Sequence, residues 1–325
     1  MKVSSSPFLK SMKLTKLIYI PNQEELMWLW NQEYQNIYPI SQELWMRNIE
    51  NVDYDASFVA SINDEIVGFI LGKTWNSEFK IESYADEAWI SLIFVKKAYR
   101  KKKIGTALLN ASFEVFNQKH KKTIYLGRDV HNFFPGLPVD FVKSMPFFEK
   151  NGFEHSYETF DLINRNAKKL PLKNINCGFT FRKANLADKE NLIKFINTNW
   201  PGRWTYEAVE YFEQGGNGNE YLLSINSKNE ICAFVKVCYP STSIKLISNS
   251  FTWYKRFTAL GGIGPLGVTP AYRGQHLGYD IVAYAVNTLI DASTTELIID
   301  WTGLIEFYRG LGFEVWKSYY YLTKK

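Results

Sequence analysis

A length of 325 residues is long for one domain and comfortable for two, each able to bury a core of its own. Hydrophobic residues make up 46% and charged residues 22%, and the net charge is a modest +5 with basic residues spread along the chain, so nucleic acid is disfavoured as a main partner. Cys177, Cys232 and Cys238 fall in no paired spacing and His120, His131, His155 and His276 lie far apart, which argues against structural disulfides and a metal site, while the high aromatic share of 16% asks for large cores or ligand-facing rings.

Residues Met1 to Leu14 are polar and mixed, without the apolar run of a signal peptide, and no later stretch is long enough to span a bilayer. A cytoplasmic protein with no membrane partner is expected. Leu17 to Ile20 reads as an opening strand, followed by a polar turn and a helical pattern rich in Leu, Ile and Trp. Ser57 to Ile62 and Ile66 to Leu71 form a hairpin across Asn63-Asp64-Glu65. Next, Phe94-Val95-Lys96-Lys97-Ala98-Tyr99-Arg100 leads through Ile104-Gly105 into an amphipathic run with Leu108, Leu109, Phe113 and Phe116, the pattern of strand, basic turn and helix. A turn-rich insertion, Gly127 to Pro138, has Phe133 and Phe134 as expected core anchors, and Phe147-Phe148 then precedes Gly152-Phe153.

The same landmarks return in the same order after a polar, lysine-rich stretch. Phe179 to Arg182 reads as a strand, and Tyr221 to Ile225 and Ile231 to Val237 as a hairpin. Leu266-Gly267-Val268 feeds Ala271-Tyr272-Arg273, then Leu277-Gly278 and a helical run with Ile281, Ala285 and Leu289; Leu297 to Asp300 is a strand, and Phe307-Tyr308 precedes Gly312-Phe313. Val-x-x-Ala-Tyr-Arg is common to both halves. The boundaries expected from this repeat are an N-terminal extension at 1–13, a first domain at 14–163, a linker at 164–176 and a second domain at 177–325.

A strand entering a tight turn rich in backbone N–H groups, followed at once by a helix N-terminus, forms an anion site from unpaired amides and the helix dipole. Arg273-Gly274-Gln275-His276-Leu277-Gly278 has this design: Gly274 and Gly278 allow close backbone approach, and Arg273 supplies a charge suited to pyrophosphate. The stretch resembles the acetyl-CoA signature of the GNAT superfamily, with His276 where the first signature Gly usually stands. Phe307-Tyr308-Arg309-Gly310-Leu311-Gly312-Phe313 is similar to the aromatic-Tyr and Gly-Phe ending of the same family.

That resemblance implies an α/β (α+β) chain of two acyl-CoA N-acyltransferase domains, each a mixed twisted sheet flanked by helices. Two parallel strands splay apart to form a wedge for the pantetheine arm, with Leu266, Gly267 and Val268 offering it backbone hydrogen bonds. Trp301 stands where the family often has Asn. Acetyl-CoA is the implied co-substrate and a small-molecule primary amine the implied partner, with an amino sugar or sugar conjugate as the acceptor class pointed to, and the oligomeric state open.

Acetyl transfer from a thioester to an amine needs a neutral amine, a polarised carbonyl and a proton for a departing thiolate whose reference pKa is about 8.5. The resemblance gives the proton donor's role to Tyr308. Asp300 is the carboxylate at the exit of the second wedge strand and a candidate base, set against a turn-capping role and against a water relay. Trp200, Arg203 and Trp204, grouped around Pro201-Gly202, are candidate acceptor residues, since indoles stack on sugar faces and a guanidinium holds anions; a hydrophobic staple is the alternative.

In the first half the turn reads Arg100-Lys101-Lys102-Lys103-Ile104-Gly105, with lysines in place of small residues, and Phe148 occupies the Tyr308 position. A degenerate domain with at most a weaker coenzyme site, around Val95, Arg100, Lys103 and Gly105, is expected, as in the mycothiol synthase kind of tandem protein. The insertion would be either structural or a cover for an acceptor pocket. Two other functions stay open, a non-catalytic acyl-CoA sensor and an aminoacyl transferase of the cell-wall bridge type. Tyr308 argues against the first and the turn at Arg273 against the second.

Overall fold

The computed structural model describes residues 11–173, 178–247 and 251–325, which form two compact units. One comprises the chain to Glu158 together with Tyr319–Lys325, the other Thr159–Ser318. Both are α/β units of the same plan.

The first unit opens with β1 (Met12–Lys16), then α1 (Glu24–Tyr34) and α2 (Gln42–Ile49), whose Ser41 cap accepts the Leu44 N–H at 3.1 Å. β2 (Phe58–Ile62), β3 (Glu65–Thr74) and β4 (Glu87–Val95) form an antiparallel meander. The opening strand thus lies five residues earlier than its apolar run suggests: its register with β2 ends at Lys16 opposite Phe58, and the Leu17 N–H adds one bond to the Ser57 carbonyl at 2.9 Å. Leu17–Tyr19 turns instead, and Leu17 is fully buried. Helix α3 (Ile104–Gln118) buries Ile104, Leu108, Leu109 and Phe116 against this sheet and returns the chain to β5 (Thr123–Leu126), parallel to β4. The short β6 (Leu137–Pro138), α4 (Met145–Lys150) and the first residues of β7 (Glu154–Asn164) follow. The insertion is structural, as its aromatic content implies: Phe133 and Phe134 are buried beside Trp45, Trp30 and Tyr38.

The second unit repeats the order: β8 (Thr180–Lys183), α5 (Lys189–Asn199), α6 (Arg203–Glu213), β9 (Tyr221–Ile225), β10 (Ile231–Cys238), β11 (Leu260–Val268), α7 (Leu277–Asp291), β12 (Glu296–Thr302), α8 (Ile305–Arg309) and the start of β13 (Glu314–Lys324). Helix α7 is the central packing element. Leu277, Ile281, Val282, Ala285, Val286 and Leu289 recur at helical spacing and are fully buried, each large apolar side chain contributing about 1.5–3 kcal/mol of transfer free energy.

Neither sheet is closed by its own half of the repeat. Beside β5 runs the end of β13, with Thr323 opposite Tyr125 and Lys324 opposite Ile124. Beside β12 runs the end of β7, with Ile163 opposite Ile298 and Leu162 opposite Ile299. The last strand of each half therefore completes the sheet of the other. The expected linker at 164–176 falls within the second unit, where Leu170 exchanges two 2.8 Å hydrogen bonds with Asn287 and the Lys173 N–H donates to Asp280 at 2.6 Å. Residues 174–177, with Cys177, and the first ten residues of the expected extension lie outside the described residues. Among those described, no helix is long and apolar enough to cross a membrane, and no group of His, Cys, Asp and Glu could hold a metal ion.

Candidate active site

In the second unit β11 and β12 pair only at their start, Leu260 to Gly262 against Glu296 to Ile298. Past Gly262, β11 carries a bulge. Val237 of β10 faces Ile263 and Val235 faces Leu266, so Gly264 and Pro265 stand opposite the single residue Lys236. Gly264 takes a φ of 136°, which a side-chain-bearing residue rarely adopts. From there to Val268 the strand is paired on its β10 edge while β12 diverges, leaving a wedge with backbone groups along one wall. Leu266, Gly267 and Val268 lie on that wall. The first unit has the same break, since β4 and β5 pair as far as Ile90 and Leu126 while β4 continues to Val95.

The turn leaving each strand has one backbone conformation in both units. Gly274 and His276 have φ of 77° and 59°, and Lys101 and Lys103 have 61° and 65°. The lysines thus reproduce the left-handed positions rather than distorting the turn. Arg273 Nε reaches back to the Val268 carbonyl at 3.3 Å, and Arg100 Nε to that of Val95 at 2.8 Å. The amides of Gly274, His276, Leu277 and Gly278 find no acceptor among the described residues, and they precede a 15-residue helix. A Cβ added at Gly274 would meet nothing within 4 Å, and one at Gly278 only Val268 and Phe307 at 3.8–3.9 Å. The turn therefore has open space, free donors and a helix dipole, which fits a pyrophosphate.

Charge separates the two turns. Arg100 is tied to the Glu33 carboxylate and, at 2.8 Å, to the Tyr34 hydroxyl, while Glu33 also accepts the Lys97 N–H at 2.9 Å. No carboxylate pairs with Arg273 among the described residues. An incoming anion thus meets a compensated arginine in the first unit and an uncompensated one in the second.

Tyr308 sits in α8 with its ring buried against Phe307 and Phe313. Its hydroxyl has no hydrogen-bond partner among the described residues. Burial, reinforced by the Asp300 carboxylate, pushes that hydroxyl well above the usual tyrosine range, so it stays protonated at neutral pH. Asp300 follows the buried Ile299 at the exit of β12, and its Oδ1 lies 3.9 Å from where a Cβ would stand on Gly264. The bulge, the carboxylate and the tyrosine thus gather at the mouth of the wedge.

The three acceptor candidates separate in the structure. Trp200 packs its indole directly on Gly267, where a Cβ would come within 2.4 Å of the ring, and it touches Phe195, Phe234 and Trp204. Trp204 also meets Phe234 edge to face. Arg203 begins α6, donates from Nε to Glu207 at 2.6 Å and lies 4.3 Å over the ring of Trp301. Trp301, which departs from the family pattern, has a left-handed φ of 49° and lies with its ring beneath the Arg203 guanidinium. Buried Glu207 and Asp161 are likewise site neighbours that no motif marks.

A splayed parallel pair, an amide-lined turn and a buried tyrosine at the wedge define a fold of the GNAT acyltransferase type. Residues 23–153, within the first unit, match the model of the acetyltransferase (GNAT) family. No curated protein sequence matches the chain. Among solved structures, a GCN5-related glucosamine N-acetyltransferase region in a fungal multi-domain GH3 β-N-acetylglucosaminidase superposes with a TM-score of 0.83 at 21% identity, over 96% of this chain and 38% of that one. The chain thus spans well under half of that protein. A GCN5-related N-acetyltransferase from Sphaerobacter thermophilus gives 0.70 at 15% identity over 97% and 95% of the two chains, and a tandem GNAT protein from the clavulanic acid biosynthesis pathway gives 0.65 at 14% over 96% and 98%.

Proposed function

We propose that the second unit transfers an acetyl group from acetyl-CoA to the primary amine of a small acceptor, an amino sugar or sugar conjugate. The observation that carries this reading is Tyr308, a protonated hydroxyl without a hydrogen-bond partner among the described residues, at the mouth of a wedge whose turn, among the same residues, offers unpaired amides and an uncompensated Arg273. A site built only to bind a coenzyme has no need of a buried acid there.

In this reading the Arg273 to Gly278 turn holds the pyrophosphate, and the wall at Leu266, Gly267 and Val268 orients the pantetheine arm. The acceptor enters between α6 and the end of β12. Asp300, directly or through a water, takes the proton from its ammonium so that the neutral amine attacks the thioester carbonyl. The tetrahedral intermediate then collapses as its nitrogen gives up its second proton to solvent and Tyr308 gives its own to the leaving thiolate, the tyrosinate being reprotonated from solvent. Arg203 and Trp301 form the acceptor wall, with Trp200 and Trp204 packed behind it. Support for an amino sugar comes from the uncharged balance of Arg203 with Glu207 and from the glucosamine specificity in the name of the fungal structural relative. The first unit, with Phe148 for Tyr308 and Arg100 already paired, acts as a structural partner with at most a weaker coenzyme site at Val95, Arg100, Lys103 and Gly105.

Free-thiol release from acetyl-CoA, measured over a panel of amino sugars, polyamines and amino acids, tests the proposal. Turnover confined to amino sugars is the expected result. Turnover confined to another amine class overturns the acceptor, and thiol release with none of them overturns the acetyl-transfer reading.

A further inference from the structure

The left-handed Trp301 is costly for a bulky residue and persists only where its surroundings hold it. The holder is Asp161, in the part of β7 that completes the second sheet. Its side chain is 2% exposed; Oδ1 accepts the Trp301 backbone N–H at 3.0 Å and Oδ2 accepts the Trp253 indole N–H at 2.8 Å. A buried carboxylate bonded in this way is a strong, directional anchor.

The first unit contains an internal comparison. Ile298 lies opposite Ile163, and its counterpart Tyr125 lies opposite Thr323, so Asp161 corresponds to Tyr321 and Trp301 to Arg128. Arg128 is also left-handed, with φ 58°; its guanidinium donates from Nη1 to the Tyr321 hydroxyl oxygen and lies between the Tyr125 and Tyr321 rings at 4.5 and 4.7 Å. In the first unit the borrowed strand thus meets only the side chain, since the Arg128 N–H donates to the Phe134 carbonyl at 2.9 Å. Only in the second unit does the borrowed strand bind the backbone of the residue that leaves the wedge, and it does so with a carboxylate.

What Asp161 fixes is a wall. Trp301 is half-buried beneath Arg203, whose charge is already matched by Glu207, and it follows Asp300 directly. The wall presents a ring and a guanidinium whose charge Glu207 balances, next to a carboxylate. Such a surface suits a hydroxylated ring carrying an ammonium, and gives no advantage to an acceptor bearing carboxylate or phosphate. Resting on the proposed acetyl transfer to an amino sugar, we infer that Asp161 is a positioning residue for acceptor specificity: by holding Trp301 left-handed it sets the Arg203–Trp301 wall against which a hydroxylated amine binds.

Kinetics with acetyl-CoA and either glucosamine or n-butylamine, on wild type, Asp161→Leu and Trp253→Phe, test the inference. Leucine keeps the approximate volume and accepts neither N–H group, whereas Trp253→Phe removes only the second bond. Asp161→Leu is expected to raise KM for glucosamine about tenfold, with kcat, CoA affinity and KM for n-butylamine within about twofold of wild type, and Trp253→Phe to change neither KM. An unchanged glucosamine KM, an equal rise for both amines, or the same effect from Trp253→Phe overturns it. A second readout is the backbone amide of Trp301 in 15N-tryptophan-labelled protein, assigned through Trp301→Phe. Its hydrogen-bonded shift should be lost in Asp161→Leu and kept in Trp253→Phe. If wild type acetylates neither amine, the acceptor reading falls by itself, and an amide signal unmoved by Asp161→Leu overturns the positioning role independently.

Discussion

Tyr308 and Phe148 occupy the same place in the two units: the Phe313 and Phe153 amides donate to their carbonyls, each at 3.1 Å, and the intervening Gly312 and Gly152 have φ of 89° and 88°. One hydroxyl oxygen distinguishes them. Tyr308→Phe should therefore keep the packing, leave CoA affinity in place and lower kcat by about a hundredfold to ten-thousandfold, the range of general acid catalysis. A variant turning over at the wild-type rate would falsify the assignment of Tyr308 as the acid.

The pH profile gives a separate check. Activity requires the protonated hydroxyl, so it is lost as pH rises through the folded-state pKa, and burial with Asp300 places that pKa above the ordinary tyrosine value. The high-pH limb of kcat should lie above about pH 10, the reference value for tyrosine. A limb near neutrality that persists in Tyr308→Phe would assign the titration to another group.

Coenzyme binding should depend on the second turn. Gly278→Val places a branched side chain between Val268 and Phe307, where the pyrophosphate approaches the helix start. Calorimetry should show the tight CoA site weakened by at least about tenfold, a loss of about 1.4 kcal/mol, with the thermal transition intact. One tight site per chain is expected in wild type, because Arg100 is neutralised by Glu33 while Arg273 is not. Two sites of equal affinity would show that the lysine-rich turn serves as well.

Packing at the wedge makes Gly267 sensitive for a reason unrelated to its backbone angles. A Cβ there would stand 2.4 Å from the Trp200 indole, with the ring wedged among Phe195, Trp204 and Phe234. Gly267→Ala should destabilise the second unit by about 1–3 kcal/mol, the cost of overpacking. Denaturant unfolding of Gly267→Ala beside Gly267→Ala/Trp200→Leu provides the test, since the smaller Leu should recover part of the loss.

Strand exchange predicts how the chain tolerates truncation. Tyr319 and Leu322 are buried in the first unit, and β5 takes one of its neighbours from the same segment. A chain ending at Ser318 should lose the cooperative unfolding of the first unit although the deletion lies at the far end of the sequence. Native-like hydrogen-exchange protection of β4 and β5 in that chain would contradict the exchange.

Two kinds of information were divided between sequence and structure. The repeat, the strand-turn-helix around Arg273, the Gly-Phe endings and the place of Tyr308 were legible because they rest on local rules: hydrophobic periodicity, turn chemistry and helix starts act over a few neighbouring residues. The insertion's Phe133 and Phe134 were legible as core for the same reason. Which strand closes each sheet was not, since the pairing of Thr323 with Tyr125 spans most of the chain and apolar alternation does not name a partner. Nor was the behaviour of single residues whose surroundings come from elsewhere. Lysines at 101 and 103 read as obstacles yet take the left-handed conformations of the turn, Arg203 read as a free cation yet is balanced by Glu207, and Trp301 read as a departure from a pattern yet becomes the cleft wall because Asp161, from the preceding repeat, binds its amide. Local propensity fixes the kind of element, and only long-range packing decides which polar groups meet, because their desolvation is resolved by partners distant in sequence.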